Sequence, residues 1–161
     1  MDPIIYCEHV ETPIGIIGLK STQSHLTQVL IPNAFSMYNT VVHGTPLLDL
    51  AKQQLLDYFN GKRTSFTIPL SFKQSPFFTA TFNYLQTIPY GTTISYKTLA
   101  TAVQHPRAVR AVGCACNKNP LPIFIPCHRV LGTDGRLTGY RGGLFIKRYL
   151  LELEKAHYML K

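Results

Sequence analysis

The apolar positions of the N-terminal part follow first a strand pattern and then a helix pattern. Short apolar runs bounded by turn residues are typical of strands, and Pro32 and Asn33 are expected to end the second run. Leu48, Leu55 and Phe59 then recur at helical spacing, and Gly61 follows as a C-terminal cap. The predicted strands cover residues 15–19 and 26–31, the helix covers residues 46–60, and a further extended segment covers residues 64–70. Residues 1–72 are therefore expected to form a small antiparallel sheet that carries a helix.

The second part of the chain has helical periodicity. Ser75 followed by Pro76 predicts a capped helix start, and the Pro-Tyr-Gly run at residues 89–91 predicts its end. Ser95 is expected to cap a short helix through Ala102, and Pro106 to open another that runs to about Cys116. Two short helices separated by a turn favour a helix-turn-helix. The sequence thus predicts an α+β protein in which residues 73–161 form a mainly helical domain.

The second helix of this pair has two unlike faces when residues are placed at about 100° per position. One side is apolar: Val109, Val112 and Cys116. The opposite side carries the basic residues Arg107, Arg110 and Lys118, together with Cys114. The positions between them are small: Ala108, Ala111, Gly113 and Ala115. This pattern fits a helix that approaches a grooved partner closely, and it also fits an amphipathic surface helix with solvated arginines.

Composition and charge narrow the class of protein. The chain is 45% hydrophobic and 15% charged, which is typical of a compact globular protein. Its 16 Lys and Arg against 8 Asp and Glu give a net charge of +8, which favours a polyanionic partner, either nucleic acid or an acidic membrane face. No apolar run could span a bilayer, and residues 1–3 do not begin a secretory signal. We therefore expect a cytoplasmic protein with four free thiols: Cys7, Cys114, Cys116 and Cys127.

A candidate nucleophile follows a proline-bounded apolar run at residues 119–126. Cys127 directly precedes His128. Thiolate is the reactive form of cysteine, and a free thiol is mostly protonated at neutral pH. A nearby imidazole can take that proton, directly or through a water, and a carboxylate can orient the imidazole. Taken alone, such a pair is more often a buried cysteine beside a histidine that caps a turn.

The wider sequence resembles the methylated-DNA–protein-cysteine methyltransferases, also called O6-alkylguanine-DNA alkyltransferases. The run Pro-Cys-His-Arg-Val at residues 126–130 matches their acceptor motif position by position. The match extends over nearly the whole C-terminal half, with a looser fit over the N-terminal sheet, for which the resemblance implies a ribonuclease H-like domain over residues 1–72. The other matching positions are 94–96, 108–113, 119–120, 139–140, 142–143, 147, 150–151 and 154.

The resemblance implies catalytic roles for four residues. Cys127 is the alkyl acceptor, and His128 is its base, acting through a water molecule. Glu154 holds the far nitrogen of His128, and Tyr96 donates a proton to the departing base. On the last helix, Ile146, Leu150 and Leu153 form the apolar stripe, so Glu154 at its border is expected to be a half-buried carboxylate.

The resemblance also implies how DNA is handled. Arg110 enters the base stack in place of the extruded guanine, and Tyr96 presses on the neighbouring phosphate. Arg107 and Lys118, on the basic side of the same helix, are expected to contact DNA as well. Asn119 is the hinge that ties the turn of Cys127 to the helix-turn-helix. The substrate pocket is expected to use Pro122, Tyr140, Arg141, Gly142 and Gly143.

The implied function is direct-reversal DNA repair. The alkyl group of O6-alkylguanine, and of O4-alkylthymine, passes irreversibly to Cys127 in one turnover, with double-stranded DNA as partner, no membrane, and the protein a monomer. No cofactor is expected, since the chain lacks a dinucleotide or phosphate loop, and no metal, since Cys7, His9 and His25 lack a zinc spacing. Two alternatives are a binding module that recognises alkylated DNA without reacting and a cysteine hydrolase. Cys127, His128 and Glu154 together argue against the first, and the lack of a recognisable amide pocket argues against the second.

Overall fold

The N-terminal unit is built on a three-stranded antiparallel sheet. The computed structural model describes residues 4–32 and 43–159, which divide into two compact units, Met1–Phe72 and Lys73–Lys161. In the first unit the strand order is β1-β2-β3, and the strands are Tyr6–Thr12 (β1), Gly15–Ser21 (β2) and Leu26–Leu30 (β3). The two predicted strands are confirmed, but β1 was not predicted. Its buried positions, Cys7 and Val10, are three residues apart, so the alternation that marks a strand is missing.

One helix packs on this sheet. Helix α1, Pro46–Phe59, begins after Thr45, whose side chain accepts a hydrogen bond from the Leu48 amide, and it contacts all three strands. Among residues 4–32 and 43–72, the segment predicted as extended at residues 64–70 pairs with the sheet at a single bridge, Leu26–Leu70. Asn33, which was predicted to end a strand, lies outside the described residues.

The second unit is mainly helical. Its elements are α2 (Pro76–Leu85), β4 (Ile94–Ser95), α3 (Tyr96–Ala102), α4 (Val109–Asn117), a 3-10 turn (Cys127–Arg129), β5 (Val130–Leu131) and α5 (Leu144–Leu153). The serine caps predicted for α2 and α3 are confirmed, because Ser75 and Ser95 accept hydrogen bonds from the amides three residues on. Together with the first unit, this confirms the predicted α+β fold. No helix among the described residues is long and apolar enough to cross a membrane.

Two predicted helix limits were wrong. Helix α4 begins at Val109 rather than at Pro106, because the Ala108 amide bonds to the His105 carbonyl at 2.8 Å and closes a turn over residues 105–108. Helix α2 ends at Leu85, before the predicted stop at residue 89. The amides of Thr87 and Ile88 bond to carbonyls three residues back, which tightens the last turn and ends the helix.

The buried face of α5 also differs from the prediction. Ile146, Lys147, Leu150 and Leu151 are its buried residues, whereas Leu153 is half-buried. The helix ends at Leu153, and Lys155 adopts a positive φ of 56° two residues later. Glu154 is therefore the cap of this helix rather than part of it.

A short parallel pair links two parts of the helical unit. Ile94 of β4 pairs with Val130 of β5, and Ser95 pairs with Leu131. The start of α3 and the residues that follow Cys127 are therefore hydrogen-bonded neighbours, although they are far apart in sequence. This pairing brings the residue after β4, Tyr96, close to the turn that carries Cys127.

The cap of α2 gives a stability prediction. The Ser75 hydroxyl accepts a hydrogen bond from the Phe78 amide at 3.3 Å. We expect Ser75→Ala to lower the free energy of unfolding by about 1 kcal/mol, because the amide loses its acceptor, while Ser75→Asp retains stability. Urea denaturation of the full chain measures both. Equal stability of the wild type and the alanine variant would contradict this assignment of the cap.

Candidate active site

Cys127 lies on the wall of a small cavity in the helical unit. The cavity has a volume of about 70 Å³ and is lined by Tyr96, Gly113, Cys116, Asn117, Cys127, Gly139 and Tyr140. We call it the Cys127 cavity. Three of the predicted site residues, Cys127, Tyr96 and Tyr140, meet there. The Cys127 side chain is almost wholly buried, so a reagent reaches its sulfur through this cavity.

A side-chain amide holds the loop before Cys127. Asn119 is buried, its Nδ2 donates to the Ile125 carbonyl at 2.8 Å, and its Oδ1 accepts from the Leu121 amide at 2.9 Å. These bonds close residues 119–125 on themselves, and Pro122 lies buried within that loop, outside the lining of the Cys127 cavity. Asn119 thus fixes the path of the chain from the end of α4 to Cys127.

His128, the residue after Cys127, forms a buried pair with Glu154. The His128 Nε2 and the Glu154 Oε2 are 2.6 Å apart, and neither side chain is exposed. A carboxylate can only accept, so Nε2 carries the proton and Nδ1 of the neutral ring is left as an acceptor. Among the described residues His128 Nδ1 is buried without a hydrogen-bond partner. The arrangement leaves one basic nitrogen unused.

Glu154 also accepts hydrogen bonds from Arg129 and from a backbone amide. Arg129 donates to it through Nε at 2.8 Å and through a terminal nitrogen at 3.0 Å, and the Gly91 amide donates at 3.1 Å. The other terminal nitrogen of Arg129 donates to the Ile88 carbonyl at 2.6 Å. Glu154 is 3% exposed, so the prediction of a half-buried carboxylate was wrong. As the cap of α5 it points inward, where a buried arginine neutralises it.

Burial and these contacts set the protonation of the group. Burial by itself raises the pKa of Glu154, but the hydrogen bonds from His128 and Arg129 and the positive charge of Arg129 outweigh it and bring the pKa well below its usual range. Burial lowers the pKa of His128, so the imidazole stays neutral despite its carboxylate partner. Burial raises the pKa of Cys127, although Asn119 and Lys147 lower it in part. The thiol is therefore protonated at rest and needs a base in order to react.

A buried lysine positions Tyr96. The Lys147 ammonium donates to the carbonyls of Thr138 and Gly139 at 2.9 and 3.2 Å and to the Tyr96 hydroxyl at 3.4 Å. The Tyr96 hydroxyl itself donates to the Thr138 carbonyl at 3.2 Å. Burial lowers the pKa of Lys147 to about 8, against the opposing effect of Cys127. Burial raises the pKa of Tyr96, and a thiolate at Cys116 or Cys127 would raise it further, so its hydroxyl keeps its proton.

The turn after Gly139 contributes one residue to the cavity. The Tyr140 hydroxyl is buried and has no hydrogen-bond partner among the described residues. Arg141 is exposed, Gly142 is buried, and Gly143 adopts a φ of 99° at the start of α5. None of these three lines the Cys127 cavity.

The basic residues predicted to meet DNA are exposed. Arg110 lies in the first turn of α4, while Arg107 and Lys118 lie just outside its two ends, and all three are exposed. Cys114 shares the exposed side, and Val112 and Cys116 are buried on the other. The two faces predicted for this helix therefore agree with its burial.

Several residues that contribute to the site were not predicted as such. Arg129 and Lys147 were noted only as matching positions, and Cys116 only as a free thiol on an apolar face. Gly91 was read as a helix terminator. Arg and Lys side chains are ordinarily solvated, and no local sequence pattern indicates that Arg129 and Lys147 are buried and paired. Among the described residues, no three His, Cys, Asp or Glu side chains are grouped as metal ligands.

Comparison with known proteins identifies the family. Residues 5–72 match the model described as "6-O-methylguanine DNA methyltransferase, ribonuclease-like domain", and residues 76–156 match "6-O-methylguanine DNA methyltransferase, DNA binding domain". The constitutive methylated-DNA–protein-cysteine methyltransferase of Bacillus subtilis is 42% identical over 97% of this chain and 99% of its own. That of Methanosarcina barkeri is 40% identical over 94% of this chain and 98% of its own.

Solved structures of proteins from the same family are similar to this chain. The OGT of Mycobacterium tuberculosis in complex with DNA superimposes with a TM-score of 0.87 at 40% identity, covering 93% of this chain and 92% of its own. The same organism's O6-methylguanine methyltransferase gives a TM-score of 0.85 at 39% identity, covering 94% of this chain and 93% of its own. The chain belongs to the methylated-DNA–protein-cysteine methyltransferase family, as the acceptor motif indicated.

The buried carboxylate predicts a pH-dependent stability. Glu154→Gln should lower the free energy of unfolding at neutral pH by about 3 kcal/mol or more, because Arg129 keeps its charge without a counter-charge. The folded pKa of Glu154 lies below its unfolded value. Its stabilisation is therefore complete above about pH 4.3 and is lost as the pH falls further. The difference in the free energy of unfolding between the wild type and the variant should therefore become smaller as the pH falls. Urea denaturation as a function of pH measures this difference.

Glu152→Gln is the matched control. This carboxylate lies two residues away on an exposed surface and is paired with Arg148 at 2.9 Å. Exposed pairs contribute about 0–1 kcal/mol, so the control should change stability little at any pH. A Glu154 variant that behaves like the Glu152 variant would show that the buried network does not stabilise the fold.

Proposed function

We propose that this protein repairs alkylated DNA by direct reversal, transferring the alkyl group of O6-alkylguanine to Cys127. The observation that carries the proposal is a thiol on a cavity wall, next to a buried His128–Glu154 pair with an unused basic nitrogen. Family membership supplies the substrate class. O4-alkylthymine is proposed as a second substrate, since its alkyl group is attached to a similar exocyclic oxygen.

The proton of the thiol is proposed to leave through His128. Nδ1 accepts it through a bridging water, and Glu154 stabilises the imidazolium that forms. The Cys127 sulfur then attacks the alkyl carbon. A carbon–sulfur bond forms as the bond between that carbon and O6 breaks, and the electron pair stays on the guanine.

Tyr96 is proposed to assist the leaving group. Tyr96 lines the Cys127 cavity, and its hydroxyl keeps its proton at neutral pH, so it can donate a hydrogen bond or a proton to the departing base. Lys147 donates a hydrogen bond to this hydroxyl and so positions it. The proton that guanine gains balances the proton that the thiol loses.

The substrate is proposed to reach the cavity by base flipping. An alkyl group on O6 lies on the major-groove edge of a stacked base, where a nearly buried sulfur cannot reach it, so the nucleotide must be extruded at a cost of a few kcal/mol. Arg110 fills the place of the base in the stack, while Arg107 and Lys118 contact phosphates. Tyr140 and the turn at residues 141–143 accommodate the extruded base, and Asn119 with the loop around Pro122 keeps Cys127 in place.

The two parts of the chain are proposed to divide the work. Residues 73–161 bind DNA and accept the alkyl group, and residues 1–72 form a ribonuclease H-like domain. We also propose that the protein works as a monomer in the cytoplasm, because its reaction requires a reduced thiol. The product is a thioether, which is a poor leaving group, so each molecule reacts once.

A substitution of the acceptor tests the reaction. Cys127→Ala should abolish alkyl transfer from methylated duplex DNA and leave DNA affinity nearly unchanged, because the sulfur contributes little contact area. Intact-protein mass spectrometry of the wild type should show the mass of one methyl group replacing one hydrogen, located at Cys127 by peptide mapping. Cys114→Ala is the matched thiol control and should still be alkylated. Many turnovers per molecule, or a methyl group on another cysteine, would refute the proposal.

The extrusion step has its own test. Arg110→Ala should slow repair of methylated duplex DNA about tenfold or more, because part of the unstacking energy is no longer offset. Reaction with free O6-benzylguanine, which needs no extrusion, should change much less. Arg107→Ala is the comparison variant: it should weaken duplex binding and reduce its salt dependence without the same selective loss in the chemical step. Equal losses of reaction rate for Arg110→Ala on both substrates would contradict the proposal that Arg110 fills the place of the extruded base.

A further inference from the structure

A second thiol shares the Cys127 cavity. Cys116, in the last turn of α4, lines the same space of about 70 Å³ as Cys127. Both side chains are buried, at 7% and 4% exposure, and both thiols are free. Burial raises the pKa of Cys116, and a thiolate at Cys127 would raise it further, because the two residues line the same small cavity. The proposed alkyl transfer makes no use of this second sulfur.

The chain between the two cysteines is short and held in place. Asn119 bonds to the Ile125 carbonyl and the Leu121 amide, which fixes the loop that separates α4 from the 3-10 turn. Because both cysteines flank this fixed loop, their sulfurs remain confined to one cavity, and pairing them closes only a small ring. The other two cysteines lack this arrangement: Cys114 is exposed, and Cys7 belongs to the N-terminal unit.

We infer that Cys116 and Cys127 form an oxidation site, in which a peroxide converts the two thiols into a reversible disulfide. The Cys127 thiolate attacks one oxygen of the peroxide, the oxygen–oxygen bond breaks, and hydroxide leaves, which gives a sulfenic acid. The Cys116 thiolate then attacks that sulfur, the sulfur–oxygen bond breaks, and a second hydroxide leaves. The two thiol protons and the two hydroxides make two waters, so each peroxide oxidises one pair of thiols.

The environment favours this order of events. His128 can take the proton of Cys127, whereas among the described residues no imidazole or carboxylate is hydrogen-bonded to the Cys116 thiol, which burial keeps protonated. Once the Cys127 thiolate has become a neutral sulfenic acid, no negative charge at Cys127 opposes the formation of a thiolate at Cys116. Lys147 remains nearby and stabilises an anion on either sulfur. A cavity of this volume also has room for hydrogen peroxide, which is little larger than water.

The disulfide would protect the acceptor. A sulfenic acid that meets no second thiol oxidises further to sulfinic acid, which ordinary thiols cannot reverse. With Cys116 beside it, Cys127 is stored as a disulfide, inactive but recoverable. The disulfide itself depends only on the two thiols; its consequence for repair rests on the proposed function.

The test is peptide mapping of the full chain after brief treatment with hydrogen peroxide. The wild type should lose two hydrogens in intact mass, and the bond should map to Cys116 and Cys127. Oxygen adducts on Cys127 without that bond, or a bond between another pair, would overturn the inference. Alkyl transfer by the untreated wild type is measured in parallel, so a failure of the proposed function is recognised separately from a failure of the disulfide.

A variant gives a second readout. After peroxide and then dithiothreitol, the wild type should regain most of its own starting alkyl transfer, whereas Cys116→Ala should regain only a minor fraction. Each protein is compared with its own reduced form. Cys114→Ala is the control for a thiol on the same helix and should recover like the wild type. Equal recovery by the Cys116 and Cys114 variants would contradict protection, and mapping of the wild type decides the question even if a variant fails to fold.

Discussion

A single buried carboxylate organises the active site, and most of the geometry around Cys127 depends on it. Glu154 accepts hydrogen bonds from His128, twice from Arg129, and from the Gly91 amide. An ionised carboxylate away from water is costly unless hydrogen-bond donors surround it. The buried charge of Glu154 therefore depends on these donors being in place. The same contacts orient the imidazole and leave its other nitrogen without a proton. Stability and reactivity therefore rest on one set of bonds.

The sulfur is kept unreactive until a substrate arrives. Burial raises the pKa of Cys127, which protects the thiol from adventitious electrophiles. Deprotonation depends on His128, a neighbour in sequence whose ring is turned by Glu154. The positive charge of Lys147 lies close enough to favour the thiolate once it forms. Low reactivity at rest suits an acceptor that can be used only once, because every side reaction of the thiol inactivates one molecule.

Much of this could be predicted from the sequence, and the misses have two causes, long-range burial and an ambiguous local signal. The helix limits set by Ser75 and Ser95, the two faces of α4 and the acceptor motif depend on local pattern, which a sequence displays directly. Arg129 and Lys147 depend on long-range burial, which changes a charged side chain from a solvated group into a partner of the site. The start of α4 was misplaced because a proline fits both the first position of a helix and the turn that precedes one.

The position of Gly91 limits which substitutions the chain can accept. Its φ is 76°, and a Cβ there would lie 3.0 Å from the backbone oxygen of Glu154. Alanine at this position would face both a strained backbone and a close contact with the residue that orients the imidazole. A glycine distant in sequence from the acceptor motif is thus under nearly the same restriction as the motif itself. Tolerance to variation in this protein follows backbone geometry as well as distance from the reactive atom.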